Sequence, residues 1–147
     1  MRKNLFLAAV MAIIFCGTAA AFAEGEEPFA RIAMTTGTSV ITADLHDNPT
    51  TRDFVASLPV TMPMTRRGER EYYGKAGKRL SDKGRQQNGL EDGDVAYYVP
   101  GASFAVFFNN KVNPDISQLI VMGKVTSDLS VFESLDESLT VRIELVP

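Results

Sequence analysis

The sequence predicts a mainly β fold: a closed β-barrel of about eight strands with two short helices at its ends. Three features carry that expectation. Short runs that alternate in polarity, or are wholly apolar, recur along the chain. Gly, Pro, Asn and Asp punctuate them. Only two segments, beginning near Asn48 and near Asp128, hold the start signals of a helix.

Residues 1–23 read as a removable secretory signal peptide. Arg2 and Lys3 form a positive start, residues 5–15 are apolar, and Ala21-Phe22-Ala23 is a small-x-small cleavage site. The apolar run is too short to cross a bilayer comfortably, and Phe15 ahead of Cys16 does not suit a lipid-attachment signal. Export, to a periplasm or to the medium, is the expectation. Residues 24–29 are expected to form a disordered leader, and residues 30–147 one domain with a core of its own. Cys16, the only cysteine, leaves with the signal, so no disulfide or thiol chemistry is expected.

The first strands are residues 31–35 and 39–45, flanking the turn Thr36-Gly37-Thr38. A short helix follows over residues 48–59. Asn48 or Thr50 caps it, Pro49 suits its first turn, Asp53 complements the positive end of its dipole, and Pro59 closes it. Phe54, Val55 and Leu58 form its buried face. Residues 60–65 return to strand, where Pro63 predicts an edge or a bulge. Residues 70–73 pair beside them. Residues 74–89 carry four glycines and many charges and read as a long irregular excursion, a kind of loop that is often functional. An acidic Gly turn at residues 91–94 and a Pro-Gly turn at residues 100–101 bracket two strands ending in Phe107-Phe108. Residues 109–117 are a polar loop. Residues 119–125 are a near-continuous apolar strand, buried on both faces. Asp128 caps a second short helix with Leu129, Phe132 and Leu135 inward, and residues 139–145 alternate cleanly as the last strand.

The chemistry the residues exclude is broad. The net charge is −3, and without Arg2 and Lys3 the remaining 13 basic residues face 18 acidic ones, about −5. That balance argues against nucleic acid as a partner. There is no Gly-x-Ser-x-Gly elbow, and His46 is the only histidine, so it reads as a surface residue rather than a triad member. Asp44, His46 and Asp47 are too few and too mixed for a zinc site, and Asp92 and Asp94 lack a calcium-loop spacing and read as turn formers. Residues 74–81 fail as a phosphate loop, because the glycine spacing is short and no Ser or Thr follows Lys78. No metal or cofactor is expected.

A binding surface remains. Tyr72, Tyr73, Tyr97, Tyr98, Phe104, Phe107 and Phe108 come from neighbouring strands, and in each consecutive pair one ring points inward and one outward. Arg70, Tyr97, Phe107, Arg66 and Glu71 are the candidate ligand groove, suited to a peptide or a small anionic ligand. Eight cations, from Arg66 and Arg67 through Arg70, Lys75, Lys78, Arg79 and Lys83 to Arg85, crowd one segment. They offer a local positive field to an anionic partner, or simply a solvated loop.

Several segments in order resemble one family: Asp47-Asn48-Pro49-Thr50-Thr51-Arg52-Asp53-Phe54 with Leu58-Pro59, then Glu71-Tyr72, then Gly93-Asp94-Val95-Ala96-Tyr97-Tyr98-Val99-Pro100-Gly101, Phe107-Phe108, and residues 119–125 ending in Gly123-Lys124-Val125. Over residues 30–145 the chain is similar to the small bacterial and archaeal cyclophilin-like fold family. The resemblance implies a closed barrel with a helix at each end. It gives fold more firmly than function. True cyclophilins carry a Phe-His-Arg strand segment; here that segment is missing, there is no Trp, and Arg70 and Phe107 are the nearest counterparts of the isomerase arginine and aromatic floor. Three functions are therefore open: an exported peptide- or small-ligand-binding module, a divergent peptidyl-prolyl cis-trans isomerase, or an accessory domain that docks a redox partner. The last follows from relatives joined to flavodoxin-like domains.

Overall fold

A computed structural model describes residues 27–112 and 115–147. The expected signal peptide lies outside the described residues, as do residues 24–26 of the expected leader. Residues 27–29 have no regular secondary structure.

Eight antiparallel strands close into a barrel: β1 Ala30–Thr36, β2 Ser39–Leu45, β3 Val60–Arg67, β4 Glu71–Lys75, β5 Asp94–Tyr98, β6 Ser103–Phe107, β7 Leu119–Val125 and β8 Ser138–Leu145. Their order around the barrel is β1-β2-β7-β5-β6-β4-β3-β8, and β8 returns to β1. The expected mainly β class, the closed barrel and the strand number are all observed. β8 makes the closure by pairing along residues 138–143 with β3 and along residues 142–145 with β1. No edge is left open, which answers the aggregation hazard of an unpaired strand.

Pro63 shows how the barrel tolerates a missing donor. It sits opposite Thr140 on β8, but β4 pairs with β3 only from Thr65 to Arg67. The proline therefore occupies a stretch where one flank of β3 has no ladder partner, an edge-like position inside a closed sheet.

Alternation divides the strand residues into two sets. Ile32, Met34, Ile41, Ala43, Leu45, Met62, Met64, Tyr72, Val95, Tyr97, Phe104, Val106, Ile120, Met122, Val141 and Ile143 fill the interior. Leu90, Ala96, Ala105, Phe107 and Leu119 form a second, smaller cluster on the outer face, flanked by Tyr73, Tyr98, Ile116 and Val121. β7 contributes to both, so the expected burial on two faces is observed for most of that strand; Lys124 is its exposed member.

Each mouth of the barrel is plugged. The helix α1 (Pro49–Ala56) starts as expected: Asn48 Oδ1 accepts from the Thr51 N–H at 2.8 Å, and Pro49 opens the first turn. Phe54 is fully buried and stacks on Phe104 with centroids 4.9 Å apart. Asp53 does not sit in the first turn. Its carboxylate accepts from the Ser81 N–H at 2.8 Å and so anchors the excursion instead of serving the helix dipole. The Leu58–Pro59 peptide bond is cis. At the other mouth the expected second helix is a short three-ten helix, Leu129–Ser134. Asp128 caps it, and Phe132 stacks on Phe108 at 5.3 Å.

The acidic Gly turn is a clamp. Gly93, at φ +87, takes a backbone conformation that L side chains rarely adopt. Its N–H donates to the Phe107 carbonyl at 2.8 Å, and Asp94 Oδ2 accepts from the Glu91 N–H at 2.8 Å. Lys124 Nζ reaches Asp94 at 2.9 Å and Glu91 at 3.0 Å. Partial burial works against the ammonium charge, but hydrogen bonds to Asp94 and Glu91 outweigh it and hold the Lys124 pKa above its ordinary value.

Two outcomes check this architecture. A Cβ on Gly123 would run into the Asp44 carbonyl and would lie 2.8 Å from Leu45 Cα, both backbone atoms of β2. Gly123→Ala should therefore cost roughly 3 kcal/mol in urea unfolding, the upper part of the overpacking range; a loss under about 0.5 kcal/mol would contradict the close β2–β7 approach. Lys124→Met should destabilise by about 1 kcal/mol after discounting for the lysine's partial exposure. Because the folded pKa is raised, the wild-type advantage is full below the unfolded value of 10.5 and disappears as pH rises through the folded one. A difference that persists unchanged at higher pH would show that packing, not charge, carries it.

Candidate ligand groove on the outer barrel face

Register places the outer-facing side chains on a grid. Arg67, Glu71 and Phe107 form one row across β3, β4 and β6. Tyr73, Ala105 and Ala96 form the next, on β4, β6 and β5, and Lys75, Ser103 and Tyr98 the third. All of them except the buried Ala96, together with Arg70, Gly101, Asp115 and Ile116, line a groove of about 400 Å³. Tyr73 and Tyr98 are half-buried walls, while Ser103 and Ala105 are small enough to leave the space between them open.

Arg70 and Glu71 lie at one end, nearly buried at 7% and 3% exposure. Arg70 Nε and Nη2 both lie 3.1 Å from Glu71 Oε2, and the guanidinium carbon stands 5.9 Å from the centre of the Phe107 ring. Phe107 has no exposed surface, being packed among Leu90, Ala96, Ala105 and Leu119 beside Arg70. Arg67 and Lys75 stand on the rim and are exposed. Arg67 lies over the Tyr73 ring at 5.7 Å, and Lys75 Nζ donates to the Gly101 carbonyl at 2.5 Å. Among the described residues neither is ion-paired.

Of the five residues expected in the groove, Arg70, Glu71 and Phe107 come together there. Tyr97 and Arg66 do not. Tyr97 points into the barrel, fully buried, and its hydroxyl accepts from the Leu80 N–H at 3.2 Å; its neighbour Tyr98 faces the groove instead. Arg66 shares the inward parity of Met62 and Met64 and reaches the plugged mouth. It donates to the Gly68 carbonyl at 2.8 Å and the Phe132 carbonyl at 3.2 Å, and lies over Phe108 at 5.1 Å and Tyr72 at 5.8 Å. It clamps the three-ten helix. Arg67, Tyr73, Lys75 and Tyr98 also line the groove; the aromatic set and the run of cations contained them, but the five groove candidates did not. The odd-numbered spacing of Glu71, Tyr73 and Lys75 was the available signal.

The excursion expected over residues 74–89 begins later, because Gly74 and Lys75 still pair in β4; from Ala76 on it is irregular but tied down. Ala76 and Leu80 enter the core. Thr50 Oγ1 donates to the Ser81 carbonyl at 2.6 Å, Arg79 donates to the Val99 carbonyl at 3.2 Å, and Gln87 exchanges backbone bonds with Leu119. Its cations Lys78, Arg79, Lys83 and Arg85 remain exposed.

Besides a shallow one against Arg67, Gly68, Arg70 and Val112, two more concavities of similar size are less apt. One, at residues 27–29 and 44–47, has its histidine engaged, since His46 Nε2 donates to the Val121 carbonyl at 2.9 Å. The other surrounds the committed donors of Arg66. Among the described residues no group of acidic, His or Cys side chains could hold a metal ion, and no helix is long and apolar enough to cross a membrane.

The two neighbouring arginines should behave differently. Arg66→Ala should lower stability by about 1–2 kcal/mol, through lost cation–π and carbonyl contacts. Arg67→Ala should stay within about 0.5 kcal/mol, as an exposed rim residue. Equal losses in thermal or urea unfolding would contradict the assignment of opposite faces.

The known proteins agree with the barrel. A solved structure, the solution structure of a hypothetical protein from Archaeoglobus fulgidus, is similar with a TM-score of 0.65 at 20% identity, covering 83% of this chain and 99% of that one. No curated protein matches. The model described as the cyclophilin-like family matches residues 34–144, from the first strand to the last, and on that span the chain belongs to the cyclophilin-like family.

Proposed function

We propose that this protein is a binding module whose outer groove on β4, β6 and β5 takes a peptide or a small ligand with an apolar body and an anionic group. The observation that supports it best is the pairing of two half-buried tyrosine walls, Tyr73 and Tyr98, with two cations, Arg67 and Lys75, that no protein carboxylate neutralises among the described residues. A groove of about 400 Å³ suits a ligand of a few side chains. Aromatic walls supply contact area at low entropic cost, and rim cations steer an anion. The n-region, apolar run and cleavage site of residues 1–23 support a module that acts outside the cytoplasm.

One observation favours a second reading, a divergent prolyl isomerase. A guanidinium stands at 5.9 Å over an aromatic ring, Arg70 on Phe107, and an arginine beside an apolar floor is what weakening of a prolyl amide requires. The groove lacks the ring slot in its present form, because Phe107 has no exposed surface.

Both readings meet in one set of measurements on the protein lacking residues 1–23. Short peptides, with and without proline, should bind with micromolar to millimolar affinity by calorimetry, and Tyr98→Ser should weaken them by about tenfold. Binding that is indifferent to Tyr98→Ser would place the site elsewhere. For isomerisation, Arg70→Ala leaves Glu71 buried without that partner, so Arg70→Ala/Glu71→Gln is the safer comparison. Proline-peptide rates equal to buffer would remove the isomerase reading and leave the binding module.

A further inference from the structure

The spacing of the two rim cations carries information about what the groove selects. Arg67 stands directly opposite Glu71 on β4, and Lys75 lies four residues further along the same strand, on the same face. At about 3.3 Å per residue the two rows are about 13 Å apart. The row between them holds Tyr73 beside Ala105, with Ile116 also lining the groove and the Arg67 guanidinium reaching over one edge of that row at the Tyr73 ring.

No carboxylate among the described residues neutralises the charge at either end, although Arg67 lies over the Tyr73 ring. Glu71 is the register partner of Arg67, yet its carboxylate is turned to Arg70. Lys75 spends one contact on the Gly101 carbonyl, and an ammonium has three donors. Lys78 is exposed three residues beyond Lys75, and Arg79, also exposed, is held against the Val99 carbonyl, so both add to the positive field at that end. Asp115 is an acidic side chain facing the groove that makes no ion pair among the described residues, and it comes from the loop after β6, not from β4. It disfavours an anion on its own side and directs one toward β4.

We infer that the groove selects an extended acidic peptide of the form acid-x-apolar-x-acid, lying along β4 with its two carboxylates on Arg67 and Lys75. An extended peptide has the same rise as the strand beneath it, so side chains at i and i+4 share one face and span the same distance of about 13 Å. The residue at i+2 then faces the middle row at Tyr73 and Ala105. An i, i+3 spacing places the second acid on the opposite face, away from the cations. This inference rests on the groove being a binding site.

The test uses three unlabelled heptapeptides, blocked at both ends, against the protein lacking residues 1–23. The parent has glutamates at its second and sixth positions and leucine at the fourth. The second peptide has glutamines in place of both glutamates. The third has its glutamates at the second and fifth positions. Calorimetry and tyrosine NMR shifts read binding at low and moderate salt. The parent should bind about tenfold more tightly than either control, lose that advantage as salt rises, and lose it in Arg67→Glu/Lys75→Glu. Both substituted residues are exposed, and an unchanged melting temperature checks that the variant is folded. Equal binding of the glutamine peptide overturns the acidic preference and leaves the groove standing. A preference that survives in the reversed-charge variant also overturns it, since the acids are then recognised elsewhere. If no peptide binds or shifts Tyr73 and Tyr98, the groove reading falls and the inference falls with it.

Discussion

β8 hydrogen-bonds on both flanks, to β3 and to β1, and the rest of the structure depends on that closure. In an open sheet, each strand could slip by one residue and exchange its faces. In a closed barrel a slip must be shared by every strand, so the parity of each side chain is held all the way round. Parity then decides role. Tyr72 and Tyr97 belong to the core, and Tyr73 and Tyr98 to the outer face. Arg66 belongs to a plugged mouth and Arg67 to the rim of the groove. Three pairs of chemically similar neighbours are thus given different work by a single backbone constraint.

The mouths of the barrel complete what closure begins. The excursion at residues 76–89 and α1 cover one mouth, joined through Asp53, Ser81 and Thr50. The three-ten helix covers the other, joined through Arg66 and through the Tyr72 hydroxyl, 2.8 Å from the Asp136 carbonyl. The proposed site on the outer face would therefore be carried by strands that are packed from within and pinned at both ends. Such a platform holds the rings Tyr73 and Tyr98 with little backbone ordering left to complete if a ligand is bound, which would favour affinity per contact.

Much of the fold was legible in the residues. Turn chemistry at Gly37, Gly93 and residues 100–101 separated the strands, Asn48-Pro49 announced the helix, and the apolar run of β7 marked a strand buried on both faces for most of its length. The family's ordered segments pointed to the same barrel. What stayed hidden was parity within aromatic pairs. Tyr97-Tyr98 have the same local character, and their facing follows from pairing partners far along the chain, such as Phe104 opposite Tyr97, whereas the Met62-Met64 alternation already set Arg66 inward. The role of Asp53 was hidden for the same reason. Its partner, the Ser81 N–H, lies in a segment without periodicity.

The four tyrosines therefore report on the central claim directly. Nitration of the native protein by tetranitromethane, with each site followed by mass spectrometry, measures which rings the solvent reaches. Tyr73 and Tyr98 should react in the folded state, and Tyr72 and Tyr97 only when the barrel unfolds. Rapid modification of Tyr97, or protection of Tyr98 equal to that of Tyr72, would contradict the division into a packed interior and a receptive outer face.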